Sequence, residues 1–199
     1  AKELHEPEAA IALYQKALEL APEDTEVMGQ LAELYDSLGR LDELLVLRRR
    51  ELALCRVIAR KVALRLDLAR IMGELEVRKL LDAANPGRDR LMLEVGYFGG
   101  LRVSELVSLT WAQVIRRDSG EAQLEVVGKG DKVRQVLIPA VIAARLFASR
   151  GDAPASAPVF ESVRNPGHAL TDRAVNFIVK AAARRAGVNP AASVHWLRH

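Results

Sequence analysis

Residues 99–106 have the sequence GGLRVSEL, and this stretch separates two segments with helical patterns. Residues 88–97 precede it and residues 104–110 follow it, each with apolar side chains at helical spacing. A glycine pair interrupts a helix because glycine has a very low helix propensity. We therefore expect a break at the two glycines and a short new helix that begins close to Arg102.

A second distinctive stretch is the glycine-rich turn GKGDK at residues 128–132. It lies between two runs rich in β-branched residues, 122–127 and 133–138, which favour strands. Glycines in a short connection between two strands are typical of a β-hairpin. The turn would place Lys129 at its tip and Lys132 close by.

A third stretch, HWLRH at residues 195–199, follows a helix predicted over 170–186. Ser193 is a suitable N-cap for a further helix. His195 and Arg198 would share one face of that helix because they are three positions apart. Each feature alone is common in proteins, and only their combination indicates a particular family.

Together, the three stretches resemble the motifs of the tyrosine recombinases, the phage integrase family. The resemblance involves the first-arginine motif, the hairpin-lysine motif and the His-x-Leu-Arg-His box, at residues 100–111, 127–134 and 195–199. The order along the chain also matches. The resemblance covers residues 75–199 and implies an α+β catalytic domain with a small β-hairpin or sheet, which we assign to residues 74–199.

This resemblance implies site-specific DNA recombination or integration, with strands cleaved and rejoined through a 3′-phosphotyrosine in the complete protein. The implied catalytic residues are Arg102, Lys129, His195 and Arg198. The two arginines would clamp the non-bridging phosphate oxygens, and Lys129 would protonate the leaving 5′ oxygen. Lys132 is the alternative general acid. His195 would hydrogen-bond the phosphate or help to deprotonate the nucleophile.

The chemistry explains why these residue types are needed. The reaction passes through five-coordinate phosphorus with extra negative charge on its oxygens, which needs preorganised donors. Guanidinium groups donate two parallel hydrogen bonds to a phosphate and stay ionised. Glu105 would orient an active-site arginine or histidine. No carboxylate cluster of the magnesium-binding kind is present in the sequence, so we expect no metal and no cofactor.

The family's nucleophile is a tyrosine beyond the His-x-x-Arg pair. The chain has three tyrosines, Tyr14, Tyr35 and Tyr97, and none follows Arg198. Tyr97 fits a core position, and Tyr14 and Tyr35 fit the helical pattern of residues 1–73. Since no covalent intermediate forms without a nucleophile, we expect the 199-residue chain to be inactive in strand cleavage.

Residues 1–73 have a different character, with helical patterns over 9–20, 30–38, 42–54 and 59–72. The segment resembles a tetratricopeptide repeat at eight positions: Ala10, Tyr14, Ala17, Pro22, Leu31, Ala32, Tyr35 and Gly39. This resemblance implies an antiparallel helical repeat that offers a surface to a peptide or protein partner. A generic antiparallel helical bundle is the alternative.

Charge is divided unevenly between the two parts. Residues 1–80 contain 13 Lys+Arg and 15 Asp+Glu, whereas residues 81–199 contain 16 and 11. The positive excess of the second part is compatible with a polyanion. The expected partner is duplex DNA, contacted by Arg134 and Arg173 and bound by a homotetramer when the protein is complete.

The cellular location is inferred from cysteine content and hydrophobicity. Cys55 is the single cysteine, so no disulfide forms within the chain, and no apolar run reaches membrane-spanning length. The expected location is the cytoplasm, without membrane association.

Two further interpretations stay open beside the recombinase. The chain could be a helical-repeat protein-binding scaffold with a degenerate DNA-binding domain. A type IB topoisomerase uses the same chemical groups. In each case the expected fold is mainly α, with the TPR-like helices first and the small β-hairpin in the second part.

Overall fold

A computed structural model describes residues 5–128 and 133–188 of the chain. The chain divides into two compact units, Ala1–Glu76 and Val77–His199. The first unit is helical, and the second combines helices with a small antiparallel sheet. These contents confirm the predicted fold class.

The helices of the first unit are α1 (His5–Leu20), α2 (Thr25–Ser37), α3 (Leu41–Leu54) and the N-terminal part of α4 (Ile58–Ala83). Helix α2 begins after a well-formed cap, because Asp24 Oδ1 accepts hydrogen bonds from the backbone N–H groups of Glu26 and Val27, both at 3.0 Å. Helix α2 packs against both α1 and α3. It buries Leu31 and Tyr35 at the centre of the core of this unit.

Helix α4 differs from the prediction. The sequence pattern predicts separate helices over 59–72 and 76–84, but the structure has one helix, Ile58–Ala83. Gly73 in its interior costs about 1 kcal/mol relative to alanine. Buried Ile71, Leu75 and Leu80 outweigh this cost, since each contributes about 1.5–3 kcal/mol. A single glycine without a proline is therefore too weak a signal for a helix end.

The helices of the second unit, after α4, are α5 (Arg88–Phe98), α6 (Val103–Ser108), α7 (Ala140–Arg150) and α8 (Asp172–Ala186). Its strands are β1 (Val114–Arg116), β2 (Ala122–Val127) and β3 (Val133–Ile138). The sheet order is β1–β2–β3, and both neighbouring pairs are antiparallel. The two predicted strands are confirmed, whereas β1 and α7 have no counterpart among the predicted elements.

The central strand β2 fixes the position of the hairpin. It buries Ala122, Leu124 and Val126 in the core of this unit, and a slip of one residue would expose all three. Val127 at the end of β2 pairs with Val133 at the start of β3. The two ends of the strands at the turn are therefore held in register.

The glycine pair sets the turn between α5 and α6. A Cβ atom at position 99 would lie 2.8 Å from the Val95 carbonyl oxygen, so no side chain fits there without a backbone shift. Gly100 has a φ of +55°, a left-handed conformation that favours glycine. Leu101 is then buried, and Arg102 follows as the N-cap of α6. The predicted break and the new helix are confirmed.

Candidate active site

Arg102 lies where the glycine turn meets α6, and 47% of its side chain is exposed. Its Nη1 donates to Glu105 Oε1 at 3.1 Å. Its Nε and Nη2 have no partner among the residues that the structure describes. Arg102 therefore has a fixed guanidinium with free donors.

Glu105 is the acceptor around which this region is organised. Its side chain is only 4% exposed. Its Oε2 accepts a hydrogen bond from the backbone N–H of Arg102 and another from Arg134 Nη2, both at 2.8 Å. Arg134 Nη2 also lies 3.3 Å from the Gly100 carbonyl oxygen. We call Arg102, Glu105 and Arg134 the Arg102 cluster.

Two opposing effects act on the pKa of Glu105. Burial is the largest single effect and raises the pKa, but the backbone hydrogen bond from Arg102, the hydrogen bond from Arg134 and the two arginine charges together lower it below its ordinary value. The carboxylate is therefore charged at neutral pH and acts only as an acceptor. The cluster has a formal net charge of about +1.

A cleft of about 570 Å³ adjoins the cluster. Arg102, Ser104 and Glu105 line one side, and Val127 and Gly128 at the end of β2 line the other. The next residue in the sequence is Lys129. The hairpin thus reaches the Arg102 cluster at the last described residue before the predicted general acid.

Several predicted site residues lie outside the described residues: Lys129, Lys132, His195 and Arg198. The structure brings together Arg102, Glu105 and Arg134, which are 32 positions apart at most in the sequence. The convergence of the other four residues with this cluster stays a prediction.

Helix α8 presents a second positively charged surface. Its buried positions, Val175 and Val179 among them, face the core. Six positions of the helix are exposed, and four of them recur at spacings of three and four: Arg173, Phe177, Lys180 and Arg184, which we call the α8 face. The other two exposed positions are Asp172 and Arg185. In the described residues, none of the three cations of the α8 face has a hydrogen-bond or ion-pair partner. Phe177 is 67% exposed between them.

The two arginines predicted to contact DNA have different surroundings. Arg173 is exposed on the α8 face and lines a cleft of about 660 Å³ with Arg88 and Arg164. Arg134 is instead held by Glu105. Sequence reasoning missed Lys180 and Arg184, although their helical spacing from Arg173 was available as a signal.

The first unit has a mostly apolar groove of about 440 Å³ between α1, α2 and α3. Leu18, Leu31 and Tyr35 line its floor, and Glu19 and Asp42 lie at its edge. Tyr35 is buried, and its Oη accepts a hydrogen bond from Gln15 Nε2 at 2.9 Å. This groove is the surface to which a peptide would bind in the protein-scaffold interpretation.

The described part of the chain has neither a metal-binding group of side chains nor a membrane-spanning helix. No group of three or more His, Cys, Asp or Glu residues there is placed to hold a metal ion. Within residues 5–128 and 133–188, no helix is both long and apolar enough to cross a membrane.

Comparison with known families identifies both parts of the sequence. Residues 70–199 match the phage integrase family, which is more than half of the chain. The chain belongs to the phage integrase family. Residues 2–43 match the tetratricopeptide repeat, which confirms the resemblance of the N-terminal helices. The match to the phage integrase family includes every residue of the Arg102 cluster and the α8 face.

Relatives in the phage integrase family include two Xer recombinases. Tyrosine recombinase XerC of Xanthomonas axonopodis pv. citri (strain 306) is 38% identical over 112 residues, which are 56% of this chain and 36% of the relative. Tyrosine recombinase XerD of Pseudomonas putida (strain KT2440) is 39% identical over 146 residues, 66% of this chain and 47% of the relative. The chain thus spans less than half the length of these relatives.

A solved structure supports the same assignment. The XerH site-specific recombinase bound to difH substrate in a pre-cleavage complex has a TM-score of 0.52 and 25% identity to this chain. The match covers 62% of this chain and 39% of XerH. The family's recombinase fold is therefore shared.

Proposed function

We propose that residues 74–199 form most of the catalytic domain of a site-specific DNA recombinase and that residues 1–73 form a separate TPR-like unit. In the complete protein, strands are cleaved and rejoined through a 3′-phosphotyrosine. The observation that supports this most directly is the Arg102 cluster beside the end of β2, because it combines a fixed guanidinium with an open cleft.

Arg102 acts as one half of a phosphate clamp in this proposal. Glu105 accepts a hydrogen bond from Nη1 of Arg102 and so fixes the orientation of the guanidinium. Nε and Nη2 are then oriented before a phosphate binds. Donors fixed in advance stabilise charge that develops in a transition state. Arg198 supplies the second half of the clamp. Glu105 touches no substrate and orients Arg102.

Proton transfer is assigned to the lysines of the hairpin turn and to His195. Lys129 follows Gly128, which lines the cleft, and it protonates the leaving 5′ oxygen, with Lys132 as the alternative. His195 hydrogen-bonds the scissile phosphate or helps to deprotonate the nucleophile. No step of this scheme requires a metal, since arginine and lysine supply the positive charge.

Duplex DNA is the proposed partner. The α8 face offers an exposed aromatic ring and three cations that have no partner within residues 5–128 and 133–188. Such cations neutralise phosphates and release counterions. Arg134 contacts DNA through Nε and Nη1, which Glu105 does not occupy. The complete protein assembles as a homotetramer on paired sites in the cytoplasm.

The three tyrosines of the chain have structural roles. Tyr35 is buried in the core of the first unit, and Tyr14 packs against that core. Tyr97 packs against the core of the second unit. We therefore expect the 199-residue chain to form no covalent DNA adduct with a nicked suicide duplex. A protein–DNA band on a denaturing gel would contradict this expectation.

A second candidate function is a protein-binding scaffold, which the apolar groove of the first unit favours. The salt dependence of DNA binding distinguishes the two candidate functions. The affinity for a labelled duplex, measured by fluorescence anisotropy between about 50 and 200 mM salt, should fall with a log–log slope of about −3 or steeper if the three α8 cations bind phosphates. A slope near zero would favour the scaffold.

A further inference from the structure

A second pocket in the catalytic unit is separate from the cleft beside Arg102. It has a volume of about 510 Å³ and lies between the start of α5, the end of α7 and the loop 153–161. Leu91, Trp111 and Phe160 line it, and each is at most 5% exposed. We call it the Trp111 pocket. Its volume lies in the range of small-molecule sites, about 300–1,000 Å³.

Trp111 brings an unused donor to this pocket. Its indole N–H has no hydrogen-bond partner within residues 5–128 and 133–188, although the residue is only 4% exposed. In the same residues, no fully buried side-chain nitrogen or oxygen lacks a partner. The indole nitrogen therefore keeps contact with accessible space. An indole N–H can only donate, so its partner must be an acceptor.

Arg150 supplies the positive charge. Its Cζ lies 5.6 Å from the centroid of the Trp111 ring, and its Nε donates to the Ala153 carbonyl oxygen at 3.2 Å. These two contacts fix the guanidinium at the pocket. Both Nη groups have no partner in the described part of the chain. An oxyanion would find two unused amino groups close to the indole.

The other charges at the pocket are largely committed. Arg88 is paired with Asp89 at 2.6 Å, and Arg145 is paired with Glu94. The Glu161 carboxylate accepts a hydrogen bond from the Gly167 backbone N–H. A backbone N–H does not neutralise a carboxylate, so Glu161 keeps its negative charge, but this residue is exposed. Among the arginines that line the pocket, Arg150 is therefore the one without an ion-pair partner in the described residues.

We infer that the Trp111 pocket binds an organic anion whose carboxylate or phosphate group is attached to a flat apolar ring. The ring packs against the buried apolar side chains, and the anionic group accepts from Arg150 and Trp111. A neutral aromatic ligand would leave the donors of Arg150 and Trp111 unpaired. An inorganic ion would leave the apolar side chains of the pocket without a contact. This site involves neither DNA nor strand cleavage, so it is independent of the proposed recombinase function.

The Trp111 indole signal provides a direct test. The chain has two tryptophans, Trp111 and Trp196, so a ¹⁵N-labelled sample has two indole signals, and Trp111→Phe assigns them. Benzoate and phenyl phosphate should each shift the Trp111 signal in a saturable way, and the tighter of the two identifies the preferred acidic group. Benzyl alcohol and inorganic phosphate, the neutral and ring-free controls, should shift it little. No saturable shift with either aromatic anion up to about 10 mM, or an equal response to benzyl alcohol, would overturn the proposal.

Variants of Arg150 test the donor assignment. Arg150→Ala should weaken binding at least about tenfold, because charge-assisted hydrogen bonds are lost. Arg150→Lys keeps the charge and should restore part of the affinity, which also covers the case in which Arg150→Ala does not fold. Arg49→Ala, an exposed arginine on α3 without a partner in the described residues, should leave the affinity unchanged. Wild-type affinity in both Arg150 variants would contradict the inference.

Discussion

The Arg102 cluster and the α8 face carry their positive charges in opposite ways. In the cluster, two arginines share a carboxylate that is 4% exposed and so have defined positions. On the α8 face, Arg173, Lys180 and Arg184 have no partner in the described residues and extend from one exposed side of a helix. One surface is rigid and partly neutralised, and the other is adaptable and fully charged.

Under the proposed function, we expect this difference to separate two kinds of phosphate recognition. A donor that stabilises a transition state gains from being fixed before the reaction, because no reorganisation follows. A cation that holds a DNA backbone needs only to neutralise charge, and a flexible side chain does this at many positions. We therefore expect the cluster to determine rate and stability and the α8 face to determine affinity.

Arg102→Ala should have the largest effect. In a C-terminally completed chain, the rate of cleavage of a nicked duplex should fall by about 10²–10³-fold or more, because a transition-state donor is lost. Duplex affinity should change little. The measurement is covalent product against time at saturating DNA. Arg173→Ala is the matched control, and it should keep the wild-type rate under these conditions. A rate within tenfold of wild type in Arg102→Ala would remove Arg102 from the catalytic role.

Glu105→Gln should have the next largest effect, on stability. The substitution leaves Arg102 and Arg134 without their charged acceptor and should cost about 2–3 kcal/mol of unfolding free energy at pH 7. Urea unfolding monitored by circular dichroism measures this difference. Equal stability of Glu105→Gln and wild type would show that the cluster does not hold the turn in place.

The pH dependence of that difference follows from the lowered pKa of Glu105. The contribution of the carboxylate is fully present above its unfolded-state pKa of about 4.3 and is lost as the pH falls through the lower folded-state pKa. The gap between wild type and Glu105→Gln should therefore narrow below about pH 4. A gap that stays constant in acid would contradict the assignment of the charge to Glu105.

Arg134→Ala tests a residue that belongs to the Arg102 cluster and is also proposed to contact DNA. The substitution should lower the unfolding free energy by about 1 kcal/mol, because the contact of Arg134 with Glu105 is partly exposed. Loss of the Arg134 charge should also make the salt slope of duplex binding shallower by about 0.9. The first effect without the second would place Arg134 only in the cluster. Unchanged stability would mean that the contact with Glu105 contributes nothing in solution.

The sequence predicted those parts of the site that depend on local signals. Gly99 and Gly100 break a helix by their own conformational properties, and a glycine-rich turn between two β-branched runs defines the hairpin. The pairing of Glu105 with Arg134 could not be predicted in this way. The two residues are 29 positions apart, and their contact depends on the tertiary packing of β3 and α6 against α5.

The missed elements differ in how clearly the sequence marks them. Strand β1 has only three residues, Val114–Arg116, which is too short for an alternating pattern. Helix α7 has a proline before it and a glycine after it, a signal that the sequence did contain. The α8 face was recognised at Arg173 alone because its other members contribute only through helical spacing.

The α8 face should show the smallest effects on the folded protein and a graded effect on binding. Single changes Arg173→Ala, Lys180→Ala and Arg184→Ala should each alter the unfolding free energy by no more than about 0.5 kcal/mol, since no partner is lost. Each should make the salt slope shallower by about 0.9, and the triple variant should lose about 2.7 units. Fluorescence anisotropy with one duplex at several salt concentrations measures both affinity and slope, with Arg49→Ala in the first unit as a control. A triple variant that keeps the wild-type slope would show that these charges face solvent and not phosphate. The Arg102 cluster would then be the phosphate-binding surface that remains of the two.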